Sequence, residues 1–214
     1  KNQQDSIRAE KLREELKNSR IVLAMSQIRT HFVFNILNAI SGMCEYDPQK
    51  ADKTLVMFAH YLRSNINIME EDEPETFTKS LEHLEKYVFL EQVRFGEKIQ
   101  FAKNIEADNF KIPPLVLQPL VENAIRHGLL HKKQGGTVIL HTWAENGDSI
   151  IEISDDGVGF DMANAPGQES VGMKNVRFRL KYMVGGTMDI KSTPGQGTTV
   201  TITIPGKHKI QKTE

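Results

Sequence analysis

Hydrophobic residues recur at helical spacing through the first third of the chain and predict two long helices. Two interleaved rows of positions spaced by seven run along the first helix: Leu16, Leu23, Thr30, Leu37 and Cys44, and Leu12, Ser19, Ser26, Val33 and Ile40. Asp47 and Pro48 interrupt this pattern and favour the start of a second helix that extends to about residue 69. A seam of this length is explained by pairing with a second chain more readily than by packing onto a small domain. The pattern therefore predicts a four-helix bundle built from two chains.

The pattern changes after an acidic stretch that ends at Pro74. Residues 78–94 keep helical spacing, but from residue 99 onward apolar and polar positions alternate as they do in β-strands. The predicted strands are 99–105, 137–143, 149–154, 187–190 and 198–204, and the predicted helices between them are 113–128 and 171–184. Asn146 and Gly147 predict a tight hairpin turn between the second and third strands.

These elements together predict an α+β fold. A two-helix dimerisation module is followed by an α/β sandwich, in which one mixed sheet is backed by helices. The predicted boundaries are 1–73 for the helical module, 74–98 for a connecting helix and 99–214 for the sandwich.

Composition and charge narrow the range of functions. The chain has 214 residues and a formal net charge of -1, so it offers no basic surface for nucleic acid. No apolar run approaches the roughly 18 residues needed to cross a bilayer. The chain begins without Met, which predicts a fragment whose membrane segment, if any, precedes Lys1. The single Cys44 excludes an internal disulfide, suits a reducing cytoplasm and is predicted to be a buried apolar residue.

A polar face lies beside the apolar seam of the first helix. Gln27, His31, Asn35 and Asn38 fall together at helical spacing. The simplest interpretation is a histidine at the edge of a helical core. The alternative is a reactive imidazole, and that interpretation depends on the second half of the chain.

The first chemical cluster of the second half lies in the predicted helix 113–128. Asn123, Arg126 and His127 fall within about one helical turn of each other. Such a helix can simply be amphipathic. A carboxamide oxygen is, however, a suitable ligand for Mg²⁺, which prefers hard oxygens, and an arginine can meet phosphate charge.

Two further clusters contain glycine. Asp155 and Asp156 directly follow a predicted strand and lead into Gly157 and Gly159, which is also the composition of an ordinary tight turn. In a functional interpretation, the Asp155 carboxylate accepts the amino proton of adenine and the glycines let the backbone approach the ring. The third cluster begins at Gly172, Met173 and Lys174, where a helix start could hold an anion, with Gly197 and Thr198 as companions near the end of the chain. Ordinary capping would explain this cluster equally well.

The order of these clusters is more specific than any one of them. An Asn-bearing helix, an Asp-x-Gly-x-Gly turn after a strand, a glycine-initiated helix and a Gly-x-Gly-Thr turn resemble the Bergerat ATP-binding fold of sensor histidine kinases and gyrase-type ATPases. Segments 27–35 (Gln-Ile-Arg-Thr-His-Phe-Val-Phe-Asn) and 117–128 (Leu-Gln-Pro-Leu-Val-Glu-Asn-Ala-Ile-Arg-His-Gly) are similar to the LytS-like branch of sensor histidine kinases. The resemblance covers nearly the whole chain.

The resemblance implies a protein-histidine kinase of a two-component system, in which His31 accepts the γ-phosphoryl group of ATP and residues 160–171 form a lid. The implied cofactors are ATP and Mg²⁺, with Asn123 as the metal ligand and Asp155 recognising adenine. The implied nucleotide-binding residues are Asn123, Arg126, His127, Asp155, Gly157, Gly159, Gly172, Met173, Lys174 and Thr198. The implied partners are a second copy of the chain and the receiver domain of a response regulator. The implied setting is the cytoplasmic portion of a membrane-bound bacterial sensor.

The segment around His31 departs from the family pattern at two positions. Thr30 replaces a proline that usually precedes the histidine, and Phe32 stands where many histidine kinases carry an acidic residue. Asn35, one turn beyond His31, is therefore assigned to hold the imidazole in its reactive tautomer.

The nucleotide domain also departs from the pattern. Ser170 and Val171 stand where a second glycine usually accompanies Gly172. Pro119 stands where the hydrolytic ATPases of this fold carry a water-activating glutamate, which argues against a dedicated ATP hydrolase.

Two other functions remain as alternatives: a non-catalytic nucleotide-sensing dimerisation module, and a serine kinase of the anti-sigma-factor type. Both leave the segment around His31 without a role. The rival histidines are His60, His83, His127, His131, His141 and His208. His127 is better placed to stabilise phosphate charge than to attack it, and His60 is predicted to lie at the edge of a core.

Overall fold

The chain forms two compact units, Lys1–Asp72 and Glu73–Glu214. The computed structural model describes residues 30–68, 73–161 and 170–206. The predicted helical seam through Leu12, Leu16 and Leu23, most of the predicted lid and His208 lie outside the described residues. The boundary of the connecting helix stays a prediction.

Two helices joined by a single residue make up the described part of the first unit. Helix α1 spans Thr30–Tyr46 and helix α2 spans Pro48–Ile68. Asp47 terminates one helix and caps the next, because its Oδ1 accepts a hydrogen bond from the Lys50 N–H at 3.0 Å. The predicted helical hairpin is therefore confirmed, including the predicted start of the second helix at Pro48.

The buried face of this hairpin differs from the predicted one. The buried side chains are Phe32, Ile36, Ile40 and Met43 on α1, and Ala51, Thr54, Phe58, Tyr61 and Asn65 on α2. The rings of Phe32 and Tyr61 meet edge to face with centroids 5.5 Å apart. Leu37, predicted to lie in the apolar seam, is 43% exposed in the single chain, and Phe34 is 60% exposed. Cys44 is exposed, so the prediction of a buried cysteine was wrong.

A mixed five-stranded sheet forms the centre of the second unit, in the order β2-β4-β5-β7-β6. Its strands are β2 Ile99–Ile105, β4 Gly136–Glu145, β5 Asp148–Asp155, β6 Thr187–Thr193 and β7 Gly197–Ile204; a small separate pair consists of β1 Glu75–Thr76 and β3 Lys111–Ile112. The β2–β4 pair is parallel and the other pairs of the large sheet are antiparallel. Asn146 and Gly147 both have positive φ in the β4–β5 turn, as a tight hairpin requires. The predicted mixed sheet is confirmed.

Helices pack against one face of this sheet. They are α3 Phe77–Phe95, α4 Leu117–Asn123 and α5 Val171–Arg179, and π-helical turns Ala124–Gly128 and Leu180–Val184 extend the last two. Leu84 and Leu90 of α3 are fully buried, as are Leu140 and Ile151 of the sheet. The predicted helix start at Pro113 was wrong, because Leu115 takes a left-handed conformation (φ 57°) and the helix begins at Leu117.

Buried polar contacts connect α3 with α4 and strengthen α3 itself. His83 Nε2 lies 2.9 Å from Gln118 Oε1, and burial lowers the pKa of His83 to about 4, so this imidazole is neutral at physiological pH. Glu91 is fully buried and pairs with Arg94 at 2.7 Å, and burial raises the pKa of the Glu91 carboxyl. The His83–Gln118 contact therefore joins α3 to α4, the helix that carries Asn123.

No helix in residues 30–68, 73–161 and 170–206 is long and apolar enough to cross a membrane.

Candidate functional site

A cavity of about 600 Å³ lies between the sheet and the helices of the second unit. Its lining combines α4 and its π-turn, the end of β5, the start of α5 and the β6–β7 hairpin. The predicted site residues that line it are Asn123, His127, Asp155, Gly159, Met173 and Thr198. Residues far apart in the sequence therefore meet in one cavity large enough for a nucleotide base and sugar.

Asp155 lies at the end of β5, where only 9% of its surface is exposed. Its Oδ1 accepts the Gly157 N–H at 2.8 Å, and the carboxylate also accepts the backbone N–H of Thr198. Burial raises the pKa of the Asp155 carboxyl, and these two donors oppose that rise. The strand register explains the second bond, because Asp155 and Thr198 are directly opposed in β5 and β7.

Two glycines let the backbone close around this carboxylate. Gly159 has φ 58°, and a Cβ atom there would lie 2.1 Å from the Thr193 carbonyl oxygen. Gly197 has φ 91°, and its Cβ would lie 1.9 Å from the Asp155 carbonyl oxygen. The Asp-x-Gly-x-Gly turn and the Gly-x-Gly-Thr turn therefore touch each other, which only residues without a side chain permit.

Asn123 is the last residue of α4 and lines the cavity. Its amide has no hydrogen bond to another described side chain, so its oxygen is available to a cation, and Mg²⁺ suits such a hard donor. The helix widens directly after it into the π-turn, which carries His127 into the cavity lining one turn further on. Within the described residues no group of three or more His, Cys, Asp and Glu side chains could hold a metal, so a magnesium site here would depend on Asn123 and nucleotide oxygens.

Some predicted site residues lie outside the cavity lining. Arg126 Nε lies 3.1 Å from Glu122 Oε1, so its guanidinium is paired on its own helix. Gly172 and Lys174 are exposed at the start of α5. Gly157 contributes through its bond to Asp155. The roles of these residues toward phosphate stay predictions.

The structure adds lining residues that were not among the predicted site residues. Ser170 caps α5 by accepting the Met173 N–H at 3.3 Å, and it lines the cavity. A serine directly before a predicted helix is a capping signal that could have identified it. Arg177 lies one turn after Met173 and donates to the Met188 carbonyl, beside Asp189 in the lining. Arg177 falls within the predicted cluster that begins at Gly172, whose basic side chains were expected to hold an anion.

His31 lies on the exposed flank of α1 in the first unit. The side-chain nitrogen of Asn35 lies 3.1 Å from its Nδ1 and 3.3 Å from its Nε2. The two side chains are one helical turn apart, as the spacing predicts, so the amide is within hydrogen-bonding distance of the imidazole.

The other described histidines have different surroundings. His83 is buried, and His141 pairs with Glu106 at 2.9 Å. His127 and His131 are exposed beside each other with parallel rings. His60 is exposed, so its predicted place at the edge of a core was wrong.

A mixed sheet backed by helices, with a cavity between a helix-borne asparagine and a strand-end Asp-x-Gly-x-Gly turn, defines an ATP-binding α/β sandwich. Residues 113–208 match the family model described as "Histidine kinase-, DNA gyrase B-, and HSP90-like ATPase". Residues 19–99 match the model described as "Histidine kinase". The chain belongs to the histidine kinase family.

The chain is also similar to individual proteins over most of its length. The chain is 34% identical to the uncharacterized protein YwpD of Bacillus subtilis over 84% of this chain and 67% of that protein. It is 35% identical to the sensor histidine kinase YpdA of Escherichia coli over 94% of this chain and 36% of that protein. It is 31% identical to the sensor protein LytS of Bacillus subtilis over 89% of this chain and 34% of that protein. The chain thus spans about a third of the length of YpdA and LytS.

Solved structures show the same fold. The histidine kinase domain of the blue-light activated histidine kinase EL346 from Erythrobacter litoralis superimposes with a TM-score of 0.55 at 15% identity, over 91% of this chain and 94% of that domain.

Proposed function

We propose that this chain transfers the γ-phosphoryl group of ATP to its own His31 and passes it on to an aspartate of a response regulator. The observation that carries the proposal is the single cavity that contains both Asn123 and Asp155, in a chain whose other unit exposes His31 beside Asn35. The clusters around Asn123 and Asp155 would then act with His31 in one reaction.

The cavity residues bind the nucleotide in this mechanism. The Asp155 carboxylate accepts a hydrogen bond from the adenine amino group, and Thr198 supports the carboxylate through its backbone N–H. Asn123 would hold a magnesium ion, which would supply positive charge beside the phosphates. Basic side chains near the start of α5 and on the π-turn stabilise the charge of the transferred group, with Lys174, Arg126 and His127 as candidates.

His31 acts as the nucleophile. Its unprotonated ring nitrogen attacks the γ-phosphorus in line, an N–P bond forms, the bond to the β-phosphate oxygen breaks and ADP leaves. A half-rotation of the Asn35 amide places its oxygen where the nitrogen lies, within reach of Nδ1. Nδ1–H then donates to that oxygen, and Nε2 presents its lone pair to the phosphate.

Homodimerisation through the helical unit is part of the proposal. Four large apolar side chains of this unit are between 43% and 60% exposed in the single chain: Phe34, Leu37, Leu55 and Val56. Burying such side chains against a second hairpin would stabilise the dimer, because two helices alone cannot cover both apolar faces.

Replacing Leu37 by Glu is expected to shift the chain from dimer to monomer, because a charge would be buried in the seam. Light scattering at micromolar concentration measures the mass. Asn38→Glu, which adds the same charge at the neighbouring exposed position, should remain dimeric. A wild-type chain that is already monomeric would refute the dimer.

The relatives named as sensors are longer than this chain, which supports a fragment of a larger sensor. We infer that this fragment is the cytoplasmic portion of a membrane-bound sensor, and that its partner is a response-regulator receiver domain rather than nucleic acid.

Incubation with γ-labelled ATP tests the proposed class of reaction. A histidine kinase should acquire a label that is stable in base and lost in acid, whereas a serine kinase would give the reverse. A nucleotide-sensing module would bind ATP and acquire no label. Either of these last outcomes would replace the proposal by the corresponding alternative.

Replacing Asp155 by Asn is expected to weaken ATP binding about tenfold or more, because the amide offers a donor where adenine also donates. Calorimetry with ATP measures the change. Asp156→Asn is the matched control, since Asp156 is the next residue in the chain and its carboxyl lies outside the cavity lining. Equal ATP affinity in Asp155→Asn and the wild-type chain would contradict the assignment.

A further inference from the structure

A glycine at the end of the π-turn lies directly against the Asp155 carboxylate. Gly128 is buried and closes the turn that follows α4. A Cβ atom at Gly128 would lie 2.5 Å from Asp155 Oδ1 and 3.0 Å from Asp155 Cγ. The space that a side chain would need at this position is therefore filled by the carboxylate.

The same glycine contacts the residues that follow Asp155. A Cβ atom on Gly157 would lie 2.3 Å from Gly128 Cα, so the two backbones are in direct contact. The Val158 N–H donates to the Gly128 carbonyl oxygen at 3.3 Å. Gly128 thus meets the turn at Asp155, Gly157 and Val158, and it lies five residues after Asn123 on the same helical segment.

We propose that Gly128 is a positioning residue for nucleotide recognition. It holds the Asp155 carboxylate in the orientation in which the carboxylate accepts a hydrogen bond from the adenine amino group. The proposal rests on the proposed binding of ATP. In this proposal, Gly128 links the roles of Asn123 and Asp155, because the helical segment that carries Asn123 also fixes the carboxylate that recognises the base.

Gly128 can be tested without breaking the backbone. Its φ of -92° and ψ of -75° lie close to right-handed helical values that alanine adopts. The atoms that a new methyl group would displace belong to the end of a side chain. The clash is therefore expected to move the Asp155 carboxylate and to break its 2.8 Å bond to Gly157, while the fold is kept.

The neighbouring aspartate provides a matched control. A Cβ atom on Gly136 would lie 2.0 Å from Asp156 Oδ1 and 2.8 Å from Leu129 Cδ2, so Gly136→Ala displaces the next carboxylate and also presses on one buried methyl group. Asp156 accepts the Thr137 N–H at 2.8 Å and pairs with Lys132 at 3.4 Å, outside the cavity lining.

Calorimetry with ATP and with GTP, in the presence of Mg²⁺, tests the proposal. GTP carries an oxygen where adenine carries its amino group, so a correctly held Asp155 favours ATP. Gly128→Ala should lower ATP affinity about 10- to 100-fold, the size expected for losing a hydrogen bond to a charged group, and should narrow the preference for ATP over GTP. Gly136→Ala should keep both values.

A preference for ATP that is the same in Gly128→Ala as in the wild-type chain overturns the role of Gly128 alone. A wild-type chain that binds no ATP overturns the proposed function as well. If Gly128→Ala alone fails to fold, Asp155→Ala removes the displaced atoms and restores the space. Adding Gly128→Ala to Asp155→Ala should then change neither the midpoint of thermal unfolding nor the nucleotide affinity. A further loss in that double variant would show that Gly128 acts elsewhere.

Discussion

Replacing His31 by Gln is expected to abolish base-stable labelling from ATP while nucleotide affinity stays at the wild-type value. Glutamine has no nucleophilic ring nitrogen, so no N–P bond can form. The ATP cavity belongs to the second unit and does not include this residue. Measuring label and ATP affinity on the same preparation separates loss of the acceptor from loss of the cofactor.

His60→Gln is the matched control for this variant. His60 is also exposed, and it lies on the other helix of the same hairpin. It should label like the wild-type chain. Normal labelling of His31→Gln at any other histidine would refute the assignment of the acceptor.

Replacing Asn123 by Ala is expected to remove the gain in nucleotide affinity that Mg²⁺ provides and to lower labelling about 100-fold or more. Asn123 lines the cavity and is the proposed hard oxygen ligand of Mg²⁺, and removal of a preorganised charge-stabilising group has effects of this size. Nucleotide titrations with and without Mg²⁺ measure the first effect, and single-turnover labelling measures the second.

Asn175→Ala serves as the control for Asn123→Ala, because Asn175 is exposed on α5 and does not line the cavity. The Asn123→Ala chain should fold normally, since Asn123 makes no hydrogen bond to another described side chain. Equal dependence on Mg²⁺ in the variant and wild-type chains would contradict the metal assignment.

Local sequence signals were sufficient to predict much of the second unit. The extent of β2 and the Asn146-Gly147 turn are encoded by residues close to each other in the chain, and both appear as predicted. The contact between Asp155 and Thr198 could be predicted in part, since Asp155 directly precedes one glycine-rich turn and Thr198 directly follows another. The order of the clusters added what no single cluster could show.

Other features depend on contacts that a local pattern does not contain. Pro113 and Pro114 suggest an earlier helix start, but the left-handed conformation of Leu115 moves the start of α4 to Leu117. Arg179, which is distant in the sequence, donates a hydrogen bond to the Pro114 carbonyl oxygen. The exposed Leu37 shows that a heptad row identifies an apolar face without showing what covers it.

The central claim is tested most directly by locating the phosphoryl group on the wild-type chain after incubation with ATP and Mg²⁺. Digestion under neutral or basic conditions and mass spectrometry identify the modified peptide. The account predicts phosphate on His31, stable in base and lost in acid. Phosphate on a serine or on another histidine, or no incorporation by a chain that binds ATP, would contradict it.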